Sequence, residues 1–222
     1  MSQVRLIAFT QPIELEGVQT GEELVAYCAR VSNPANQANH ETAPRLLNYL
    51  VRNHHWSPFE MAHAVIEIQT TRDIARQILR HRSFSFQEFS QRYAEVDAEP
   101  VLREARLQDA KNRQASIDVD DADLQDWWNQ EQRALADNAI HSYQAALRRG
   151  LAKEVARAVL PEGLTPSRLY MAGSVRSWIH YIQLRAGNGT QKEHREIAVM
   201  CRLALLHVMP SLQEILDATQ DH

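Results

Sequence analysis

RHRSFSFQEFSQRY, residues 80–93, packs three guanidinium groups (Arg80, Arg82, Arg92), an imidazole (His81), a carboxylate (Glu88) and three hydroxyls (Ser83, Ser85, Ser90) into fourteen positions. Phe84, Phe86, Phe89 and Tyr93 are interleaved with them. A solvated loop has little need of so many aromatic rings, and a core segment rejects so many charges unless each meets a partner. The mixture suits a lined pocket for an anionic, ring-containing ligand. The plain alternative is the salt-bridged end of a helix.

Outward from this stretch, the pattern toward the N-terminus is mixed. Thr71 stands where it can cap a helix running toward Arg80, in which Arg72, Arg76 and Arg80 recur every four residues and Gln77 shares a face with Arg80. His63–Thr70 carries Val65, Ile66 and Ile68 and reads as a strand. Ala43–Asn53, with Leu46, Leu47, Leu50 and Val51 on one face, and Gly21–Val31 read as helices, and Val4–Phe9 is a short β-prone run. Toward the C-terminus, 94–120 is polar and reads as a variable excursion. Helical spacing returns over Asp121–Arg149, where Leu124, Trp127, Trp128, Leu135, Tyr143 and Leu147 are expected mostly in the core. Packing accounts for the two tryptophans, with stacking on a ligand as the other option. Gly150 ends that helix and Leu151–Val159 begins another, stopped at Leu160-Pro161-Glu162-Gly163. Ser174–Ala186 and Thr190–Val208 form a last helical pair. The expectation is one α+β domain over 1–222: a β-sheet with flanking helices and a helical C-terminal half, assembled as an oligomer.

The composition narrows the classes. With 222 residues and 44% hydrophobic content the chain can bury one sizeable core. A net charge of −4 argues against a general nucleic-acid binder. Lysine occurs only at 111, 153 and 192, every other basic residue being arginine. Arginine forks suit phosphates and carboxylates, although codon bias in a GC-rich genome explains the excess as well. Cys28 and Cys201 are lone cysteines without CxxC spacing, so no disulfide framework or zinc site is signalled. The opening MSQVRLIAFTQPIELEG lacks the pattern of a leader, and no run approaches the ~20 apolar residues of a membrane span. A soluble, cytoplasmic protein without membrane partners is expected.

Several common sites are missing. There is no GxGxxG after a strand, no GxxxxGK[ST] and no GxSxG. His54, His55 and His63 lie close in sequence without HExxH or a Cys/His tetrad, so no metal is expected. Two other segments carry chemistry. His55-Trp56-Ser57-Pro58-Phe59-Glu60 puts imidazole, indole, hydroxyl and carboxylate on a short turn, or simply ends a helix with its favoured histidine. RSWIHYIQLR, 176–185, spaces Arg176 and His180 four apart with Arg185 at the far end, anchored by Trp178, Ile179, Ile182 and Leu184. Its two arginines are otherwise ordinary amphipathic ends.

Together these segments resemble the flavin-dependent thymidylate synthases. RHRxxSx(N)ExSxRY is matched from Arg80 to Tyr93 at every fixed position but Gln87. Ala156-Arg157 through Leu160-Pro161, Arg176-Ser177 to Leu184-Arg185, then Gln191 and Glu193 resemble the C-terminal half of that family, and Ala29-Arg30-Val31-Ser32 and His55–Glu60 its N-terminal half. The likeness spans roughly 29–205, leaving 94–120 unmatched.

The resemblance implies reductive methylation of dUMP to dTMP. Methylenetetrahydrofolate supplies the carbon, NADPH is the reductant, and reduced FAD delivers the hydride. It also implies a homotetramer with shared active sites. Gln77, Arg80, Glu88, Ser90, Arg92, Arg157 and Arg185 match its dUMP-contacting positions. Ser32, His55, Ser57, Glu60, Arg80, His81, Arg82, Gln87, Glu88, Arg176 and His180 fall on its FAD side. The catalytic expectation rests on Arg185, stabilising charge beside the uracil, and on Ser90, which binds phosphate with Arg92 and lacks a base that would make it a nucleophile. Gln87, Ser174 and His180 depart from the family's usual asparagines. A binding module that kept the pocket without the chemistry, or a metal hydrolase built on the histidines, are the rival readings.

Overall fold

The computed structural model describes residues 2–96 and 99–217, so positions 97 and 98 of the polar excursion lie outside the described residues. It is α+β, with one four-stranded sheet and eight α-helices among the described residues. The strands β1 (Gln3–Phe9), β2 (His63–Thr71), β3 (Ser85–Glu88) and β6 (Pro166–Ser174) lie in the order β1-β2-β6-β3. A two-stranded ladder joins β4 (Arg106–Gln108) to β5 (Ser116–Asp118), antiparallel, with Leu107 opposite Ile117.

The chain packs as two compact units interleaved in sequence. One comprises residues 3–68, 81–86 and 170 onward; the other comprises residue 2, 69–80 and 87–169. Strands β2, β3 and β6 contribute residues to both.

The first unit holds α1 (Gly21–Ala29), α2 (Ala43–Arg52), α6 (Val175–Arg185), α7 (Lys192–Val208) and the short α8 (Gln213–Asp217). A capping box at Thr20 and Glu23 starts α1. Helix α2 ends in a Schellman turn: His54 N donates to Val51 O at 3.0 Å and His55 N to Leu50 O at 2.8 Å. His54 occupies the left-handed position with φ 58°. The core is built from Leu47, Phe59, Ile66, Ile68, Met171, Trp178, Ile179, Ile182 and Leu205, all fully buried. Trp178 Nε1 donates to Ala64 O at 3.2 Å and Val175 N to Ala62 O at 2.8 Å, fixing α6 against the strand. Helix α7 packs on β1 and α6.

The second unit holds α3 (Arg72–Ile78), the 27-residue α4 (Ala122–Arg148) and α5 (Lys153–Ala156). Asp121 caps α4 by accepting from Leu124 N at 2.9 Å. Gln132 stitches α4 to the preceding chain, accepting from Arg103 N at 2.8 Å and donating to Arg103 O at 2.9 Å. Gly150, at φ 85°, closes α4 with Gly150 N on Leu147 O and Leu151 N on Ala146 O. Tyr143, Ala156 and Leu160 form the local core, with Val96 and Leu147 packed against it.

Several expectations need correction. Thr71 holds the N-cap position of α3 without a capping bond; its hydroxyl is committed to Asp73 Oδ1 at 2.5 Å and Arg103 Nη2 at 2.5 Å. Helix α3 ends at Ile78, and Arg80 follows in a turn with its N–H on Gln77 O at 3.3 Å. The helix expected over Leu151–Val159 is one α turn followed by a 3-10 turn, Arg157–Val159. On α4, Trp127 and Leu135 are 54% and 58% exposed, and on α6 Leu184 is 61% exposed. Phe84 is buried. It is core, edge-on to Trp178 at 4.8 Å and seated over Gly173, where a Cβ would come within 2.4 Å of its ring. Strands β3 to β6 were not anticipated, and β4 and β5 show that the polar excursion carries structure.

Candidate functional site

In the unit that carries α6, the turn after α2 and the start of α6 bring one group of expected residues together. Arg176 Nη1 donates to Glu60 Oε1 at 2.9 Å. Ser174, the N-cap of α6, accepts from Ser177 N at 3.3 Å and also hydrogen-bonds Glu60. That bond, and then the Arg176 charge, hold the Glu60 carboxyl below its ordinary range. One turn along α6, the His180 ring lies 4.4 Å from that of Trp56. Burial, then the Arg176 charge, push the His180 imidazole down, with Glu60 opposing. It is therefore neutral at pH 7. His55 is exposed, its ring edge-on to Tyr49 at 6.1 Å. Ser32, Ser57 and Arg82 are exposed as well.

At the end of α6 the same unit places Arg185 against His81, Arg185 Nε donating to His81 Nε2 at 3.0 Å. The imidazole is pushed down to about 4, first by burial and then by the Arg185 charge.

In the unit that carries α4, Glu88 is held by Ser167 Oγ, which donates at 2.7 Å, and by Arg72 Nη1 at 3.5 Å. Ser90 and Arg92 line a cavity of about 660 Å³ with Tyr93, Gly150 and Lys153. Arg92 Nη2 is paired there with Glu154 at 3.0 Å, and Lys153 with Glu95 at 3.9 Å. Gln77 and Arg157 are half-buried, and Arg80 and Gln87 exposed. Among the described residues, the guanidinium groups of Arg80, Arg82 and Arg157 carry no ion pair or hydrogen bond. A second cavity of about 490 Å³ is lined by Gln69, Phe89, Ser167 and Arg168.

Chemically, this is an inventory for anions and a flat ring. Uncommitted guanidinium groups suit phosphate and pyrophosphate. A neutral histidine on an indole offers a polar and apolar surface, and a guanidinium steered by an imidazole stabilises charge at one point. Two residues escaped the sequence reading. Arg72 was visible in the arginine repeat but had no partner until β3 placed Glu88 beside it. Ser167 had no signal, because β6 was not read as a strand. Among the described residues no group of three or more His, Cys, Asp or Glu side chains is arranged to hold a metal ion.

Comparison with known proteins gives a consistent result. The model of the family described as thymidylate synthase complementing protein matches residues 14–211, further at both ends than the span read from the motifs. A probable flavin-dependent thymidylate synthase from Paramecium bursaria Chlorella virus 1 is 52% identical over 213 residues, covering 96% of this chain and 98% of its own. The flavin-dependent thymidylate synthase of Synechocystis sp. is 50% identical over 216 residues, covering 96% and 99%. Among solved structures, the UMP/dUMP methylase PolB from Streptomyces cacaoi, bound with 5-Br dUMP, superposes with a TM-score of 0.84 at 26% identity, covering 98% of this chain and 95% of that one.

Proposed function

Because the chain belongs to the thymidylate synthase complementing protein family, we propose that it makes dTMP from dUMP, with FAD as cofactor, methylenetetrahydrofolate as carbon donor and NADPH as reductant. The observation that carries this is the set of guanidinium groups at Arg80, Arg82 and Arg157, which the chain itself leaves without anionic partners. Guanidinium groups left free in this way are suited to phosphate and pyrophosphate oxygens.

Ser90 and Arg92 receive the dUMP phosphate, Arg92 exchanging its Glu154 partner for it, with Arg157, Arg80 and Gln77 as further contacts. Glu88, fixed by Arg72 and Ser167, meets the nucleotide with a carboxylate of set direction. Arg185 sits by the uracil and stabilises negative charge as C5 is activated. Ser90 binds and does not attack.

The residues present fit FAD. Glu60, Arg176, His180 and His55, with Ser32, Ser57, Arg82 and Gln87, would hold it, and Arg80, His81 and Glu88 match its side as well as the substrate's. When bound, the flavin supplies the hydride that completes the methyl group. The chain's own part is positioning and electrostatics. The active form is a cytoplasmic homotetramer with shared sites; exposed Trp127, Leu135 and Leu184 are apolar surface of the sort a neighbouring copy covers.

Release of tritium from C5-labelled dUMP tests the proposal. Release dependent on FAD, NADPH and methylenetetrahydrofolate is expected. Tight dUMP and FAD binding without release would leave a binding module in its place.

A further inference from the structure

Behind Arg185 lies a group of polar side chains that the proposed reaction does not use. Tyr181 stands one helical turn before Arg185 on α6, and His194 stands on α7. Tyr181 OH and His194 Nε2 are 3.2 Å apart. His194 is 0% exposed and Tyr181 1%. The His81 ring stands nearly perpendicular to that of Tyr181, at 4.9 Å between centres and 87°, and to that of His194, at 6.2 Å and 83°. Leucine and phenylalanine would fill the same space without polar atoms to desolvate, so a buried hydroxyl–imidazole pair is a costly choice unless its direction matters.

His81 shows what direction it could set. Its Nε2 accepts from Arg185 Nε, so the ring is neutral with its proton on Nδ1. That acceptor works only in one ring plane and one protonation state. An imidazolium would repel the guanidinium, and a rotated ring would leave Arg185 to its own flexible stem, free to sample other rotamers. We propose that Tyr181 and His194 are positioning residues for the reaction: together they fix the plane of the His81 ring and, through its Nε2, the direction of the Arg185 guanidinium. This rests on the assignment of Arg185 to the uracil side.

The groups facing His81 are Arg185, Tyr181 and His194, and buried Cys201 lies near Tyr181. Burial raises the Tyr181 phenol and the Cys201 thiol, so both stay neutral. Burial, then Arg185 and His81, bring His194 to about 4. At pH 7 Arg185 is thus the one charge in the group.

The test uses the FAD-loaded enzyme as Tyr181→Phe, which keeps the ring and removes the hydroxyl, with His194→Gln as a second variant should the first pack poorly. Two readouts are taken. Tritium release across pH should show kcat lowered about 3- to 10-fold, the loss of a modest hydrogen bond, with KM for dUMP, flavin content and Tm near wild type. The acid limb of kcat should also move upward in pH. Histidine NMR, with His81 assigned through His81→Gln, should show the His81 titration midpoint rising from about 4 in the wild type toward the free-imidazole range. A His81 midpoint and a kcat profile both unchanged in the variants would overturn the proposal, as would activity lost only in step with Tm and flavin. The NMR readout stands even if wild-type protein releases no tritium, an outcome that would refute the proposed function separately.

Discussion

Arg185 separates binding from chemistry most cleanly. Its Nε is held by a hydrogen bond to His81, a residue that matches the flavin side as well as the substrate's. Arg185→Ala is expected to lower kcat about 10²-fold or more, the usual effect of removing a preorganised charge stabiliser, while the flavin absorbance of the purified protein stays at wild-type level. Simultaneous loss of flavin would move Arg185 to the cofactor side. His54 gives a residue-scale test of stability. A non-glycine residue at φ 58° is strained, and its backbone closes the turn that aims His55. His54→Gly should raise the unfolding free energy from denaturant titration by about 0.5–1 kcal/mol, provided the ring contact to Trp56 is worth less than that.

Among the elements, α6 carries the most function, and its start is the vulnerable point. Ser174 caps the helix and also holds Glu60. Ser174→Ala should cost about 1 kcal/mol in thermal or denaturant unfolding, and flavin titration should show weaker binding. Weakened stability with unchanged flavin affinity would mean that Arg176 alone suffices to hold Glu60. This helix was legible in sequence because its apolar positions recur with helical period and a serine precedes them. So were α1, α2, α4 and α7. Strand β6, PSRLYMAGS, was not: a proline opens it and it carries an arginine and a glycine, residues that interrupt the apolar pattern of a strand. Strand β3 was hidden for a related reason. Its four residues, SFQE, are too few to show a period, and its pairing partner lies about eighty residues away in β6. The exposure of Trp127 and Leu135 on α4 escaped because periodicity identifies a face without saying what covers it.

For the molecule as a whole, the half-buried imidazole of His81 and the buried one of His194 set a pH dependence. Both are at about 4 in the folded chain, below the ~6.5 of a free imidazole. Between those values the unfolded chain binds protons that the folded chain refuses. Stability should therefore rise with pH across that window, fall as pH drops from about 6.5 toward 4, and level off below. Denaturant unfolding at pH 7 and pH 5 should show the loss, and His194→Leu should shrink it. An equal midpoint at both pH values would mean that these imidazoles are not desolvated in solution. Most of the expected site residues could be named from the sequence because they sit in short runs. Which of them stand on the same compact unit could not be read that way, since the units exchange chain at 2/3, 68/69, 80/81, 86/87 and 169/170.

One of those exchanges lies beside Gly173, the glycine whose missing side chain makes room for the Phe84 ring. A methyl group there would press on the ring that anchors residues 81–86, at a cost of about 1–3 kcal/mol, without touching a charged or hydroxyl-bearing site residue. Such a lesion is graded by heat. In a host that relies on this chain alone for dTMP, Gly173→Ala should support growth in the cold and demand thymidine when warm, a conditional phenotype arising from a position with no chemistry of its own. Equal growth at both temperatures without thymidine would show that the ring can move aside.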